Sequence, residues 1–359
     1  MIKNDKRREY MKKNPYTLMF GQQPTQSIPR LVQVSEVVSS FVAEPFNPNL
    51  YMVTGLRGCG KTVFMTEVEK EIKKLDNWIV VELNSSGKLL TDLAASLASE
   101  DVYAQMFQKA KINLSFFGIG LEVEGSVAIT SIQVAVTKML EVIKKHDKRV
   151  LVCIDEATPS EEMKLFAGSY QILIRQDLPI SLIMTGLPKN IDSLQNVDNL
   201  TFLYRAPRVF LPPLNLNTIS ENYRNILGVS HEDSQTMAKL TRGYSFAFQV
   251  LGYFTWEEEN RDYNKALSKV RGYLEDSVYV KIWSEMSNGD KRFISGVVNS
   301  GSGKAEEIKR ITKLSNSEYS VYRSRMIKSG LINGGDHGYV KITLPFFEEF
   351  VRSNMFFES

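Results

Sequence analysis

Eight consecutive residues, 55–62, have the types and spacing of a phosphate-binding loop. They read Gly-Leu-Arg-Gly-Cys-Gly-Lys-Thr and fill the pattern G-x-x-x-x-G-K-[ST] without a mismatch. Glycines let backbone N–H groups turn toward phosphate oxygens, the lysine reaches the β- and γ-phosphates, and the threonine hydroxyl ligates Mg²⁺. The loop therefore predicts a site for ATP and Mg²⁺, with Lys61 also counted among the catalytic residues. The predicted binding residues are Gly55, Arg57, Gly58, Cys59, Gly60, Lys61, Thr62 and Val63.

The residues around the loop predict the strand and helix that it must connect. Residues 50–54 form a short apolar run, which is typical of a buried strand. Val63, Phe64, Val68 and Ile72 recur near helical spacing. A strand, a glycine loop and a helix in this order favour a phosphate site over a tight turn that binds nothing.

A second apolar run, 149–154, ends in the acids Asp155 and Glu156. This pattern is typical of a central parallel strand whose carboxyl end faces a ligand. In a phosphate-loop protein the first acid holds Mg²⁺, and the second orients and deprotonates the attacking water. Asp155 is thus a predicted metal residue beside Thr62, and Glu156 is the predicted catalytic base. Two exposed acids at a strand end are the alternative interpretation.

Three polar residues near later strands are further candidates. Thr185 follows the apolar run 180–184, where it could sense the γ-phosphate or simply cap the strand. Arg205 and Arg208 lie near the last predicted strand. Either arginine could reach the nucleotide of a neighbouring subunit, and Arg205 could act within its own chain. A surface salt bridge is the alternative for both.

Length, charge and cysteine content limit the class of protein. A chain of 359 residues predicts two or three domains. Lys and Arg number 44 against 41 Asp and Glu, so the net charge of +3 supports a polyanionic partner only weakly. No apolar run approaches the length of a membrane span, and the N-terminus does not resemble a signal peptide. With two cysteines, these features predict a cytoplasmic protein without a membrane partner.

Changes of pattern along the chain predict its organisation. We expect a basic arm and irregular segment over 1–28, in which the arm touches nucleic acid or is a solvated terminus. An α/β core with a doubly wound parallel sheet follows over 29–211, then a helical lid over 212–286. Alternating residues around two glycines predict a hairpin over 112–124, to which no chemistry is assigned.

Residues 287–359 predict three helices and a glycine-turned hairpin, which is the winged-helix plan. The third helix, 317–329, carries basic and hydroxyl side chains suited to phosphates and base edges in a major groove. Double-stranded DNA is therefore a predicted partner. A protein partner is the alternative, because acids at 306, 307 and 318 accompany these residues. The candidate contact residues are Tyr319, Tyr322, Arg323, Arg325 and Lys328.

Motifs along nearly the whole chain also carry a family resemblance. They are Asn14-Pro15-Tyr16 with Phe20-Gly21, residues 57–62, Asp155-Glu156-Ala157, residues 185–188, Tyr204-Arg205, residues 211–214, Gly243-Tyr244-Ser245 with Gln249 and Trp256, and residues 328–332. The chain resembles bacterial and archaeal ATP-binding proteins grouped with the origin-recognition and Cdc6-like AAA ATPases. The resemblance implies an AAA+ core, a helical lid and a C-terminal winged helix, with Lys61, Thr62, Asp155 and Glu156 in the roles given above.

The chain departs from that family in three places. Ser245 stands where many relatives have proline, and residues 246–249 lack the lid arginine of replication initiators, for which Arg242 is only a nearby substitute. Pro29-Arg30 stands where a Gly-Arg pair is common.

Taken together, the motifs predict an ATP-dependent switch whose slow hydrolysis resets the state that the winged helix presents to DNA or a partner. One alternative is a nucleotide-stabilised protein-interaction module with little turnover. A signalling ATPase of the STAND type ranks last, because no sensor or effector domain is visible. A homo-oligomer is a possible assembly, and a ring, a dimer and a monomer all remain open as the active form.

Overall fold

The structure is a computed structural model that describes residues 13–19, 24–45, 50–335 and 338–355, with the backbone alone at 198, 199, 201 and 355. The basic residues before Lys13, the Phe20-Gly21 pair and the turn residues Asp336 and His337 lie outside the described residues. The chain divides into two compact units. Residues 29–45, 50–212 and 317–334 are called the sheet unit. Residues 13–19, 24–28, 213–316, 335 and 338–355 are called the helical unit.

The sheet unit is built on five parallel strands. They are β1 (Leu50–Thr54), β2 (Trp78–Asn84), β3 (Arg149–Asp155), β4 (Ile180–Gly186) and β5 (Arg208–Phe210). Their order is β2-β3-β4-β1-β5, so β1 lies between β4 and β5. Because parallel strands all end at the same edge, the residues that follow β1, β3 and β4 meet there. The predicted doubly wound α/β class is confirmed.

The inner strands are buried on both faces, which explains their continuous apolar sequences. In β3, Val150, Val152 and Ile154 contribute to the core on one face. Leu151 and Cys153 contribute to the core on the other. Each fully buried aliphatic side chain stabilises the fold by about 1.5–3 kcal/mol relative to exposure. The sheet therefore holds its strand ends rigidly.

Helices flank the sheet on both faces. They are α1 (Leu31–Val42), α2 (Lys61–Ile72), α3 (Leu89–Ser99), α4 (Asp101–Lys109), α5 (Ile132–Lys145), α6 (Glu161–Arg175) and α7 (Pro188–Gln195). Phe41 of α1 and Phe64 of α2 belong to one core. Residues of α3, α5 and α6 belong to the other. α3 and α4 are separate helices, because Glu100 between them adopts an extended backbone.

The hairpin predicted over 112–124 is wrong. The segment is an irregular loop with a short 3₁₀ turn at Ser115–Phe117. Its alternating pattern arises because Ile112, Leu114 and Leu121 are buried in the core beside α5. The Leu114 N–H donates to the Leu121 carbonyl at 2.8 Å. Anchoring to the core, rather than pairing of two strands, thus produces the alternation.

From residue 213 onward, the first part of the helical unit is helical, and it includes most of the lid predicted over 212–286. It contains α8 (Leu216–Leu227), α9 (His231–Thr241), α10 (Ser245–Glu257), α11 (Tyr263–Leu274) and α12 (Val280–Ser284), followed by α13 (Asn288–Ser300) and α14 (Ala305–Thr312). A π-helical turn, Glu275–Tyr279, joins α11 to α12. Side chains of Asn215, Ser230 and Ser287 cap the N-termini of α8, α9 and α13, which fixes where these helices begin.

The last elements are α15 (Asn316–Ser329), β6 (Ile332–Asn333), β7 (Lys341–Ile342) and α16 (Phe347–Met355). The sheet unit includes β6 and all of α15 except its first residue. In the helical unit, Lys304 pairs antiparallel with Tyr339, and the Val340 N–H donates to the Gly303 carbonyl at 2.9 Å. No described helix combines the length and apolar character that crossing a bilayer requires.

Candidate functional site

The loop between β1 and α2 has the backbone geometry that its glycines predict. Gly58 and Gly60 lie in the left-handed region, with φ of +74° and +92°, which glycine adopts without the cost that a Cβ imposes. Arg57 and Val63 are half-buried beside them. No described side chain caps the N-terminus of α2 at Gly60. The positive end of this helix and its first N–H groups are therefore available to an anion.

Lys61 is folded over the loop that it follows. Its Nζ donates to the carbonyls of Gly55 at 3.1 Å and Leu56 at 2.9 Å. Two backbone acceptors thus hold the ammonium at the mouth of the loop. Phosphate oxygens are stronger acceptors for a cation than neutral carbonyls, so a bound phosphate can exchange for these contacts.

Three oxygen-bearing side chains from three elements meet beside this loop. The Thr62 hydroxyl, in the first turn of α2, donates to Asp155 Oδ2 at 2.7 Å. The Thr185 hydroxyl, near the end of β4, donates to Asp155 Oδ1. Asp155 is the last residue of β3 and is half-buried, whereas Thr185 is fully buried. Both carboxylate oxygens of Asp155 are therefore fixed by neighbouring hydroxyls.

The oxygen atoms of these side chains are suitable ligands for Mg²⁺. The ion prefers hard oxygen ligands and keeps several waters when it binds nucleotide phosphates. The Thr62 hydroxyl and the Asp155 carboxylate supply oxygens of that kind, already in contact with each other. Thr62 and Asp155 are accordingly the residues that would hold the ion.

Glu156 has an unusual backbone and an exposed side chain. Its φ is +53°, in the left-handed region, where a residue with a side chain costs about 1 kcal/mol or more. Its N–H donates to Asp155 Oδ1 at 3.0 Å and to Thr185 Oγ1 at 3.1 Å. These bonds stabilise a turn that places a second, solvated carboxylate directly after Asp155. Thr185 bridges the two acids in the structure, and its predicted contact with a γ-phosphate stays a prediction.

The two candidate arginines differ in their surroundings. Arg208, the first residue of β5, forms an ion pair with Asp192 at 2.7 Å and also donates to Gln195. Arg205 ends the 3₁₀ segment Asp198–Arg205, is exposed, and has no hydrogen bond or ion pair with any residue that the structure describes. The salt-bridge interpretation therefore applies to Arg208, whereas Arg205 presents its charge to solvent.

Arg30 is a residue of this site that sequence reasoning missed. It precedes α1, and its Nη2 donates to the carbonyl of Cys59 at 3.0 Å and to that of Pro212 at 3.2 Å. Burial lowers the pKa of its guanidinium, and the neighbouring Glu67 partly offsets that effect. The sequence drew attention to this position only because a Gly-Arg pair common among relatives was missing there.

A second acidic group lies along α2, away from the loop. Glu69 is 3% exposed, and burial, with the neighbouring Glu82 of β2, raises its pKa to about 7. Hydrogen bonds from Glu69 and Lys73 lower the pKa of Glu82. Lys73 lies 3.0 Å from Glu82 and 3.7 Å from Glu69. Since Glu82 lies opposite Cys153 of β3, this group connects α2 to the strand that ends in Asp155.

The predicted DNA-contact residues on α15 do not share one environment. Tyr319 is buried, which raises the pKa of its phenol, and Arg323 partly offsets that rise. Arg323 also donates to the Gly334 carbonyl at 2.9 Å. Arg325 is exposed with its guanidinium 5.2 Å from the centre of the half-buried Tyr322 ring, and Lys328 is exposed. Arg325 and Lys328 thus form the exposed basic face of α15.

The turn after α15 approaches the phosphate loop within the sheet unit. A Cβ placed on Gly330 would lie 3.7 Å from Leu56 Cγ, which is ordinary van der Waals contact. Leu56 is one of the two loop residues whose carbonyls hold Lys61. The end of α15 therefore lies next to a loop residue whose carbonyl holds Lys61.

Comparisons with known proteins identify the fold. The Walker-type ATPase PABY2304 of Pyrococcus abyssi is 15% identical with a TM-score of 0.62, over 91% of this chain and 96% of that one. The ORC2 protein of Aeropyrum pernix in ADPNP–ADP complexes is 10% identical with a TM-score of 0.58, over 94% and 97%. The ADP form of ORC2 is 11% identical with a TM-score of 0.50, over 95% and 97%.

Sequence comparisons add less. A family model described as a domain of unknown function (DUF8462) matches residues 276–351. No curated protein matches the chain in a sequence search. The structural likeness confirms, at the level of the fold, the resemblance inferred from the motifs. The chain shares the fold of the P. abyssi Walker-type ATPase and of A. pernix ORC2, a five-stranded parallel sheet flanked by helices.

Proposed function

We propose that the protein is an Mg²⁺-dependent ATPase that uses nucleotide binding and slow hydrolysis as a switch. The observation that carries this proposal is a set of hydrogen bonds at the mouth of the loop, in which the hydroxyls of Thr62 and Thr185 both donate to Asp155. Glu156 follows Asp155 in the chain, and its N–H donates to the Thr185 hydroxyl. The same proposal is supported by the similarity of this fold to that of A. pernix ORC2, whose structure contains ADPNP and ADP.

Each residue has a role that follows from its position. The N–H groups at Gly58, Gly60 and the start of α2 cradle the phosphates, and Lys61 exchanges its carbonyl contacts for phosphate oxygens. Thr62 and Asp155 hold Mg²⁺, which neutralises charge that develops on the phosphate oxygens. Thr185 keeps Asp155 oriented. Glu156, exposed and solvated, accepts the proton of the attacking water.

The output of the switch is DNA binding by a C-terminal winged helix. The order of α13, α14, α15, β6 and β7, with Lys304 paired to Tyr339, supports that plan. Arg325 and Lys328 of α15 supply phosphate contacts. The proximity of Gly330 to Leu56 gives nucleotide a direct route to α15, because exchanging the Lys61 contacts changes the surroundings of Leu56.

A second candidate output is a protein partner for the same module. It is favoured by the internal roles of Tyr319 and Arg323, which leave fewer cations for DNA than the sequence suggests. In this case nucleotide stabilises the fold with little turnover. In a homo-oligomer, the exposed Arg205 would supply a charge to a neighbour's nucleotide. Neither Cys59 nor Cys153 forms a disulfide, which is consistent with a cytoplasmic setting for either candidate.

The experiment that separates these candidates measures ATP turnover and ATP affinity for the wild type and Glu156→Gln. A switch loses at least about 100-fold in turnover and keeps its affinity, because the amide retains the shape of the acid but cannot accept the proton. Absence of Mg²⁺-dependent turnover in the wild type, with ATP still bound, would favour the structural nucleotide. Arg175→Ala, which changes an exposed arginine at the end of α6, is the matched control.

A further inference from the structure

Arg30 joins three separate parts of the sheet unit. It is the residue before α1, and one of its nitrogens, Nη2, donates to both the Cys59 carbonyl in the phosphate loop and the Pro212 carbonyl. Pro212 is the last residue of the core stretch 29–212. A single guanidinium therefore connects the start of the core, its end and the loop between β1 and α2.

The bond to the Cys59 carbonyl determines how the next N–H is directed. A trans peptide is planar, and its carbonyl oxygen and N–H point in opposite directions. Because Arg30 holds the Cys59 oxygen, the N–H of Gly60 is directed to the opposite side of the peptide. That N–H makes no hydrogen bond to any residue that the structure describes. Gly60 also has a left-handed backbone and no Cβ, so its own side chain does not restrain the orientation of this peptide.

We propose that Arg30 is a positioning residue for the nucleotide phosphates, which it serves by fixing the Cys59–Gly60 peptide so that the Gly60 N–H can donate to a phosphate oxygen. The inference rests on the proposed ATP site and adds a residue that touches the loop from outside it. Arg30 does not itself contact the nucleotide. Arg30 also donates to the Pro212 carbonyl, so the orientation of the Cys59–Gly60 peptide depends on the position of Pro212.

The experiment is calorimetric titration with ADP, which needs no turnover. We compare the wild type, Arg30→Met, Arg30→Lys and the surface control Arg175→Ala. Met retains much of the side-chain length without a donor, whereas Lys retains a charged N–H donor. A charge-assisted hydrogen bond of this type predicts that Arg30→Met raises the Kd for ADP about tenfold or more, with one site per chain retained. We expect Arg30→Lys to recover most of this loss and Arg175→Ala to bind as the wild type does.

The stoichiometry separates positioning from general damage to the fold. A variant that is merely less well folded would bind ADP with the wild-type Kd and fewer sites per chain, and that result would overturn the proposal. An unchanged Kd with full stoichiometry would also overturn it. If Arg30→Met does not fold in urea titrations, Arg30→Gln, which is shorter and uncharged, provides the same comparison. Failure of the wild type to bind ADP would instead refute the ATP site itself, so the two failures are distinguishable.

Discussion

The end of the sheet and helix α15 both contain polar residues that the sequence selects as functional, but they are built differently. At the end of the sheet, Thr62, Asp155 and Thr185 come from three elements and bond to one another. On α15, all candidates come from one helix, and its two faces separate them. Arg323 is used internally, whereas Arg325 is exposed.

The difference follows from geometry. Parallel strands bring their carboxyl ends to one edge, so polar residues after such strands converge whatever their distance in sequence. A helix instead turns 100° per residue and sends neighbouring candidates to opposite faces. On α15, Tyr319 and Met326 are seven residues apart and share the buried face. A cluster of basic and aromatic residues on one helix is therefore a weaker predictor of a binding surface than acids at strand ends.

The largest expected effect is at the strand ends. We expect Asp155→Asn to lower ATP turnover at least about 100-fold, roughly 3 kcal/mol in barrier height, because the neutral amide is a poorer ligand for Mg²⁺. Turnover measured over a range of Mg²⁺ concentrations checks this. Asp192→Asn, at the acid paired with Arg208, is the control. If Asp155→Asn kept the wild-type turnover, the strand ends would be no better supported as a functional site than α15.

Replacing the exposed cations of α15 should have the next largest effect, on the affinity for DNA. We expect Arg325→Ala combined with Lys328→Ala to weaken binding to duplex DNA about tenfold and to reduce the salt slope by about two, because two phosphate contacts are lost. Fluorescence anisotropy across a salt series, with ATP, with ADP and without nucleotide, measures both quantities. If the wild type does not bind DNA in any of these three nucleotide states, the protein-partner candidate gains support.

The group along α2 predicts a pH dependence of folding. The folded pKa of Glu69 is raised to about 7, so its contribution to the free energy of unfolding is greatest below the unfolded value near 4.5 and is lost as pH rises through 7. The lowered pKa of Glu82 acts in the opposite direction. We expect Glu69→Gln to reduce the fall in wild-type stability between pH 5 and 8, by about 1–2 kcal/mol. Urea unfolding across this range tests the sign, and parallel curves would contradict it.

The smallest effect concerns the inward face of α15. Arg323→Met should lower the free energy of unfolding by about 1 kcal/mol, because the bond to the Gly334 carbonyl is lost. It should leave the salt slope of DNA binding unchanged, in contrast to the Arg325 and Lys328 variant. Denaturation and the same anisotropy series measure the two outcomes. A reduced salt slope would place Arg323 at the DNA after all.

Features that depend on local pattern could be predicted from the sequence, and those that depend on distant contacts could not. The strands ending at Asp155 and Thr185 follow from apolar runs that two-sided burial requires. Arg30 gives no local sign that it will bond to residues 29 and 182 positions away. Glu69 does leave a trace, because it interrupts the apolar stripe of Met65 and Ile72 on α2. The loop over 112–124 imitated a hairpin because core contacts also select alternate residues.

The recognised motif Asn14-Pro15-Tyr16 shows the same limit within the helical unit. Tyr16 is 2% exposed, and its hydroxyl donates to Asn222 at 2.8 Å. Its ring lies against the rings of Tyr223 and Phe248. A Cβ on Gly252 would lie only 2.6 Å from that ring, so the glycine permits the contact. The motif could be named from sequence, but its partners on α8 and α10 required the structure.

The central claim is that the loop from Gly55 to Thr62 binds ATP through its phosphates. Calorimetric titration with ATP and Mg²⁺ of the wild type and Lys61→Ala tests it most directly. We predict one site per chain in the wild type and at least about 100-fold weaker binding in Lys61→Ala, because the cation that moves from the Gly55 and Leu56 carbonyls to the phosphates is gone. Equal affinity in both proteins, or no binding in either, would contradict the account.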